Sequence, residues 1–156
     1  MVSPLIGIMY TLRPATVDDY DFLYGLHRSA MRDYIEAIWG WHEEWQAEYF
    51  RRKFDPLTRQ IIVIDGADAG VLVVEERPDE VYVGLIELLP AYQGRGLGTV
   101  ILSGLRAEAH HRGLPLTLHV LRTNLPARRL YERLGFHVVA EEGYRRRMVC
   151  APKEEP

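Results

Sequence analysis

Apolar residues change their spacing several times along this chain, and each change marks an element. Met9 to Arg13 is a short extended segment stopped by Pro14. Thr16 or Asp18 can then cap a helix in which Phe22, Leu23, Leu26 and Ala30 recur at helical spacing. A break near Gly40 precedes a second helical stretch, Trp41 to Phe54. Asp55-Pro56 ends it, because the residue before a proline is pushed out of the helical region. The period then becomes that of strands. Ile61-Ile62-Val63-Ile64 is a continuous β-branched run followed by the turn pair Asp65-Gly66. Val71-Leu72-Val73-Val74 is a second strand, closed by the turn Arg77-Pro78-Asp79-Glu80, and Val81 to Leu89 a third, ended by Pro90. Short turns make these three an antiparallel meander. Strands apolar on both faces are expected to be covered by helices on both sides.

After Gly98 the helical period returns. Leu97, Ile101, Leu105 and Ala109 share a face, and Gly113 stands where a terminating glycine belongs, with Pro115 beyond. Leu116 to Leu121 reads as a strand, Pro126 to Leu134 as a short helix stopped by Gly135, and Phe136 to Ala140 as extended chain that Tyr144 to Val149 can pair with. The predicted order is β-αα-βββ-α-β-α-ββ. It describes one α/β (α+β) domain over residues 9–150, with a mixed, mostly antiparallel sheet flanked by helices on both faces. Residues 1–8 and 151–156 are expected to be flexible tails, with the natural start left open between Met1 and Met9.

Composition narrows the functional classes. The 156 residues are enough for one domain with a real core. A formal net charge of −3 gives no general attraction to nucleic acid or anionic membrane, and Arg51-Arg52-Lys53 and Arg145-Arg146-Arg147 read as solvated faces. Cys150 is the single cysteine, so neither an internal disulfide nor a cysteine-rich metal site can form, and no metal is expected. No run reaches the roughly 18 apolar residues of a membrane span. A cytoplasmic location is the expectation.

The chemistry gathers at Gln93-Gly94-Arg95-Gly96-Leu97-Gly98-Thr99, between a strand and a helix. Glycines there let backbone approach a ligand closely, and the free N–H groups of a helix start favour an anion such as a pyrophosphate. A Walker loop would need a lysine that is missing. A Rossmann fingerprint would need its third glycine one place later and a βαβ unit before it. The run resembles instead the pyrophosphate loop of the GNAT superfamily of N-acetyltransferases: Gln or Arg, two residues, Gly, any residue, Gly or Ala. A second block is similar to the same family's C-terminal signature. In Asn124-Leu125-Pro126-Ala127-Arg128-Arg129-Leu130-Tyr131-Glu132-Arg133-Leu134-Gly135-Phe136, the Asn, the small residue, Leu-Tyr-Glu and Gly-Phe are all present.

The resemblance implies transfer of an acetyl or other acyl group from acetyl-CoA to a primary amine of a small molecule, amino acid or peptide, by direct attack in a ternary complex. It implies that backbone around Leu88 and Leu89 holds the pantetheine arm and that Gln93 to Thr99 wrap the pyrophosphate, with Arg95 adding charge. Asn124 and the small Ala127 would meet the cofactor, Asn124 also being able to cap the helix that Pro126 begins. Tyr131 stands where many relatives place the tyrosine that protonates the thiolate. Glu87 is the first candidate base and His119 the second, with water and backbone carbonyls as a further possibility. The acceptor is expected near the first two helices, at Tyr34, Glu36 and Trp39. Trp39, Trp41 and Trp45 suit an aromatic pocket for an amine, while Trp41 and Trp45 suit equally a core or a homodimer contact. Two other classes stay open: a non-catalytic acyl-CoA-binding module, and a modifier of protein N-termini or lysines.

Overall fold

A computed structural model describes residues 9–153, so the predicted tail 1–8 and the end of the tail 151–156 lie outside the described residues. The elements follow the order read from the spacing: β1 (Thr11–Pro14), α1 (Tyr20–Trp39), α2 (Glu43–Lys53), β2 (Gln60–Ile64), β3 (Ala67–Glu76), β4 (Val81–Leu88), α3 (Leu97–His111), β5 (Leu116–Leu121), α4 (Leu125–Arg133), β6 (His137–Glu142) and β7 (Arg145–Cys150). One seven-stranded sheet has the order β1-β2-β3-β4-β5-β7-β6. β4 and β5 are parallel, with the register Val81↔Leu116 to Val83↔Leu118, while β1–β2, β2–β3, β5–β7 and β6–β7 are antiparallel. No helix among the described residues is long and apolar enough to cross a membrane.

The chain groups into two units. The first holds the described residues up to Val73 together with Leu85–Arg95. Its core is Ala15, Leu23, Leu26, Ile61 and Val71, with Phe22, Phe50, Phe54, Leu85 and Leu89 packed against them. Of the two candidate caps it is Thr16 that opens the helical segment, through a 3-10 turn. Its hydroxyl accepts from the Asp18 N–H at 3.3 Å, and the Asp19 carboxylate accepts the Thr16 N–H at 2.8 Å. Arg13 of β1 grips Asp19 at 3.0 and 2.8 Å and reaches Asp68 of β3 at 2.9 Å. The guanidinium holds the Asp19 carboxyl below the usual carboxylate range.

β3 extends beyond the strand read at Val71 to Val74, because its first half carries polar and small residues. Ile62 pairs with Gly70 and Val63 with Asp68, which leaves Ala69 as the extra residue of a β-bulge. Gly70 is required there: a Cβ would collide with the Glu87 carbonyl oxygen and come within 2.9 Å of Leu88 Cδ2. The absent side chain lets β4 lie close against the bulge.

The second unit holds Val74–Gly84 and the described residues from Gly96 onward. Leu97, Ile101 and Ala109 of α3 are buried as their spacing predicts, and Leu102 joins them. Glu80 anchors the start of β4 by accepting from the Thr117 hydroxyl and from Arg147. A second bulge, at Val139, interrupts the β6–β7 register between Val138 and Ala140.

Candidate active site

Gly94 and Gly96 both take left-handed backbone, φ +71° and +82°, at which an L side chain is strained. A Cβ on Gly94 would meet nothing within 4 Å. The glycine is thus kept for its conformation and leaves open space beside the backbone. Gly96 opens α3 with no side-chain cap, and the first helical bond runs from the Val100 N–H to the Gly96 carbonyl at 3.1 Å. The N–H groups of Leu97, Gly98 and Thr99 therefore carry the positive end of a 15-residue helix without a partner among the described residues. Donor N–H groups and unfilled space fit a phosphate group.

The residues before Gly94 are more engaged than the resemblance implies. Gln93 turns its amide Nε2 back to the Leu88 carbonyl, 2.8 Å away, and so braces the loop on the end of β4. The Leu89 N–H goes to the Ala69 carbonyl and its carbonyl accepts the Tyr92 N–H, each at 2.9 Å. A pantetheine arm would find Leu89 with only a spare carbonyl lone pair. Arg95 lies over the Tyr92 ring, 5.5 Å from its centroid.

In the second unit α4 carries the other block. Asn124 caps it, its side-chain oxygen accepting the Ala127 N–H at 3.3 Å, and Pro126 sits in the first turn, where no donor is needed. Leu130 packs where Gly98 has no side chain, 3.3 Å from an ideal Cβ, so α4 lies against the first turn of α3. Tyr131 follows, buried, its ring 5.8 Å from Phe136. Burial pushes its phenol up to about 12. No hydrogen bond to a described residue ends on its hydroxyl, and among the described residues no sealed side-chain polar atom lacks a partner. The hydroxyl therefore keeps an opening to solvent.

In the first unit β4 turns Glu87 inward beneath α1. Its carboxylate Oε2 lies 2.9 Å from His27 Nδ1, and the imidazole stacks on Phe50 with centroids 5.6 Å apart. His27 was not singled out from the sequence. Its place beside Leu26, four residues after Leu23, marks the edge of the apolar face of α1, a weak signal until Glu87, 60 positions away, supplies the partner. The other candidate base, His119, has both ring nitrogens engaged: Nδ1 with the Tyr82 hydroxyl at 2.6 Å and Nε2 with Glu142 at 2.9 Å.

The acceptor segment divides among several partners. Glu36 approaches Arg32 at 3.9 Å along α1, Trp39 is exposed at the end of that helix, and Tyr34 is half-buried. Trp41 donates to Glu43 at 2.5 Å beneath the Arg32 guanidinium, while Trp45, 57% exposed, stacks on Tyr49 at 5.0 Å. Trp45 is not a core residue.

Comparison with known proteins follows the same lines. Residues 22–136 match the model of the acetyltransferase (GNAT) family. A mycothiol acetyltransferase of Thermomonospora curvata is 41% identical over 102 residues, which are 60% of this chain and 32% of that protein; the chain thus spans about a third of the relative's length. The PaiA N-acetyltransferase of Thermoplasma acidophilum, solved in complex with coenzyme A, has a TM-score of 0.74 at 18% identity, covering 92% of this chain and 99% of that one. The ribosomal-protein-S18-alanine N-acetyltransferase of Escherichia coli has a TM-score of 0.64 at 22% identity, covering 95% and 97%. With the family model spanning the helices, the glycine loop and the Asn124 to Phe136 block together, this chain belongs to the acetyltransferase (GNAT) family.

Proposed function

We propose that the chain transfers an acetyl group from acetyl-CoA to a primary amine of a small molecule, amino acid or peptide by direct attack. The observation that carries this reading is the start of α3, where left-handed Gly94 and Gly96 stand before unpartnered helix N–H groups and open space. These groups would hold the pyrophosphate, with Asn124 and Ala127 near the arm of the cofactor. The acetyl-CoA supplies an activated acyl group as a thioester. The chain's own residues orient it, donate to the departing sulfur through the Tyr131 hydroxyl, and accept the amine's proton at the group that Glu87 belongs to. Tyr34, Glu36 and Trp39 are the residues we assign to acceptor binding.

The test is thiol release from acetyl-CoA against a panel of amines, amino acids, polyamines, aminoglycosides and peptides. Release with at least one acceptor, with the acetylated amine found by mass spectrometry, is the expected result. Saturable binding of acetyl-CoA with no release across the panel would reduce the protein to a binding module.

A further inference from the structure

The Glu87 carboxylate and the His27 imidazole differ in what they can touch. The Glu87 side chain is 2% exposed and that of His27 23%, so the imidazole is the member of the pair that reaches solvent. An ionised carboxylate can only accept, so Nδ1 carries the ring proton toward Oε2 and Nε2 keeps its lone pair. Phe50 of α2, stacked on the ring, fixes its plane. Arg59 lies over Phe50 and Phe54 near enough to feel the charge of Glu87. A carboxylate that orients an imidazole and fixes its tautomer, leaving the far nitrogen to accept a proton, is the arrangement general-base histidines use in unrelated hydrolases.

Resting on the acetyl-transfer reading above, we infer that His27 is the base that takes the acceptor's proton, and that Glu87 is a positioning residue acting through it. The Nε2 lone pair forms a new N–H bond as the amine's N–H bond breaks. The amine nitrogen bonds to the acyl carbon, and the C–S electron pair leaves with the coenzyme A sulfur, which then takes up a proton. The charged and titratable groups about His27 are Glu87 from β4, Arg59 from the segment before β2, and Tyr24 and Arg28 of its own helix, both of which contact Glu43 of α2.

The experiment compares wild type, His27→Gln, His27→Ala, Glu87→Gln and the Gln/Gln double variant by thiol release, with acetyl-CoA affinity and thermal melting measured in parallel. His27→Gln should lower kcat about 100-fold with acetyl-CoA affinity unchanged, and should remove the acidic limb of the pH profile that imidazole protonation produces. Imidazole added to His27→Ala should restore part of the rate. Glu87→Gln, whose amide can donate to Nδ1 and drive the ring to the other tautomer, should also slow turnover. The double variant should be no slower than His27→Gln alone, as for residues that act as a unit. A folded His27→Gln enzyme within two-fold of wild type, or multiplicative losses with an unchanged pH profile, would overturn the inference while leaving acetyl transfer standing. A wild-type chain that binds acetyl-CoA and acetylates no amine would overturn the proposed function and this inference with it. If both His27 variants melt below the assay temperature, Glu87→Gln decides: slowed turnover with the acidic limb retained supports the imidazole as base, and loss of the limb, which would make Glu87 itself the base, or a full rate overturns the inference.

Discussion

Burial holds the Tyr131 phenol in its neutral form. A phenol near 12 in the folded chain against about 10 in the unfolded one is favoured in its neutral form. That preference is present in full below about pH 10 and is lost as the pH rises through about 12. At every working pH the residue is therefore a hydrogen-bond donor. Full transfer of its proton to a thiolate of ordinary pKa, about 8.5, would be uphill, so the role we propose for it is to donate as charge develops on sulfur. Tyr131→Phe should lower kcat about 100-fold and change acetyl-CoA affinity less than two-fold, measured by single-turnover thiol release and calorimetry. Tyr131 and the glycines were singled out as candidates because they lie in contiguous motifs. His27 was not, since its meaning depends on a partner brought in from β4.

At the scale of elements, the bulge of β3 and its fit to β4 set the depth at which Glu87 sits. Gly70→Ala would press a methyl group into the Glu87 carbonyl, an obstacle of backbone that cannot rotate away. The substitution should cost about 1–3 kcal/mol in urea melts. It should also lower turnover beyond the loss of folded protein, because the strand carrying Glu87 must move. The number and order of the elements were readable from periodicity, since each strand and helix carries its own apolar pattern. The break near Gly40 marks the end of α1, which stops at Trp39. The start of β3 was not readable: it begins at Ala67 in residues that strand patterns exclude, held by pairing to β2 and by the Arg13–Asp68 bridge.

Across the molecule, the family model covers both grouped units, and ligand binding is the property they are expected to share. Acetyl-CoA at 100 times its dissociation constant should stabilise the native chain by about 2.7 kcal/mol, seen as a concentration-dependent rise in Tm. No shift at saturating concentration would remove the cofactor from the proposal. Charge and composition could exclude broad classes of partner but could not choose an acceptor. In the segment proposed to meet the acceptor, Glu36 approaches Arg32 and Trp41 donates to Glu43, partners that composition does not reveal.

The sheet order places β1 and β6 at its two edges. An open edge is a template on which another chain can add a strand, and both edges are blunted. β1 is four residues long, ends in Pro14 and engages Arg13 in ion pairs. β6 is interrupted by its bulge, which bends the strand and breaks its regular pairing edge. The bulge at Val139 thus helps such a sheet to resist growing into fibrils.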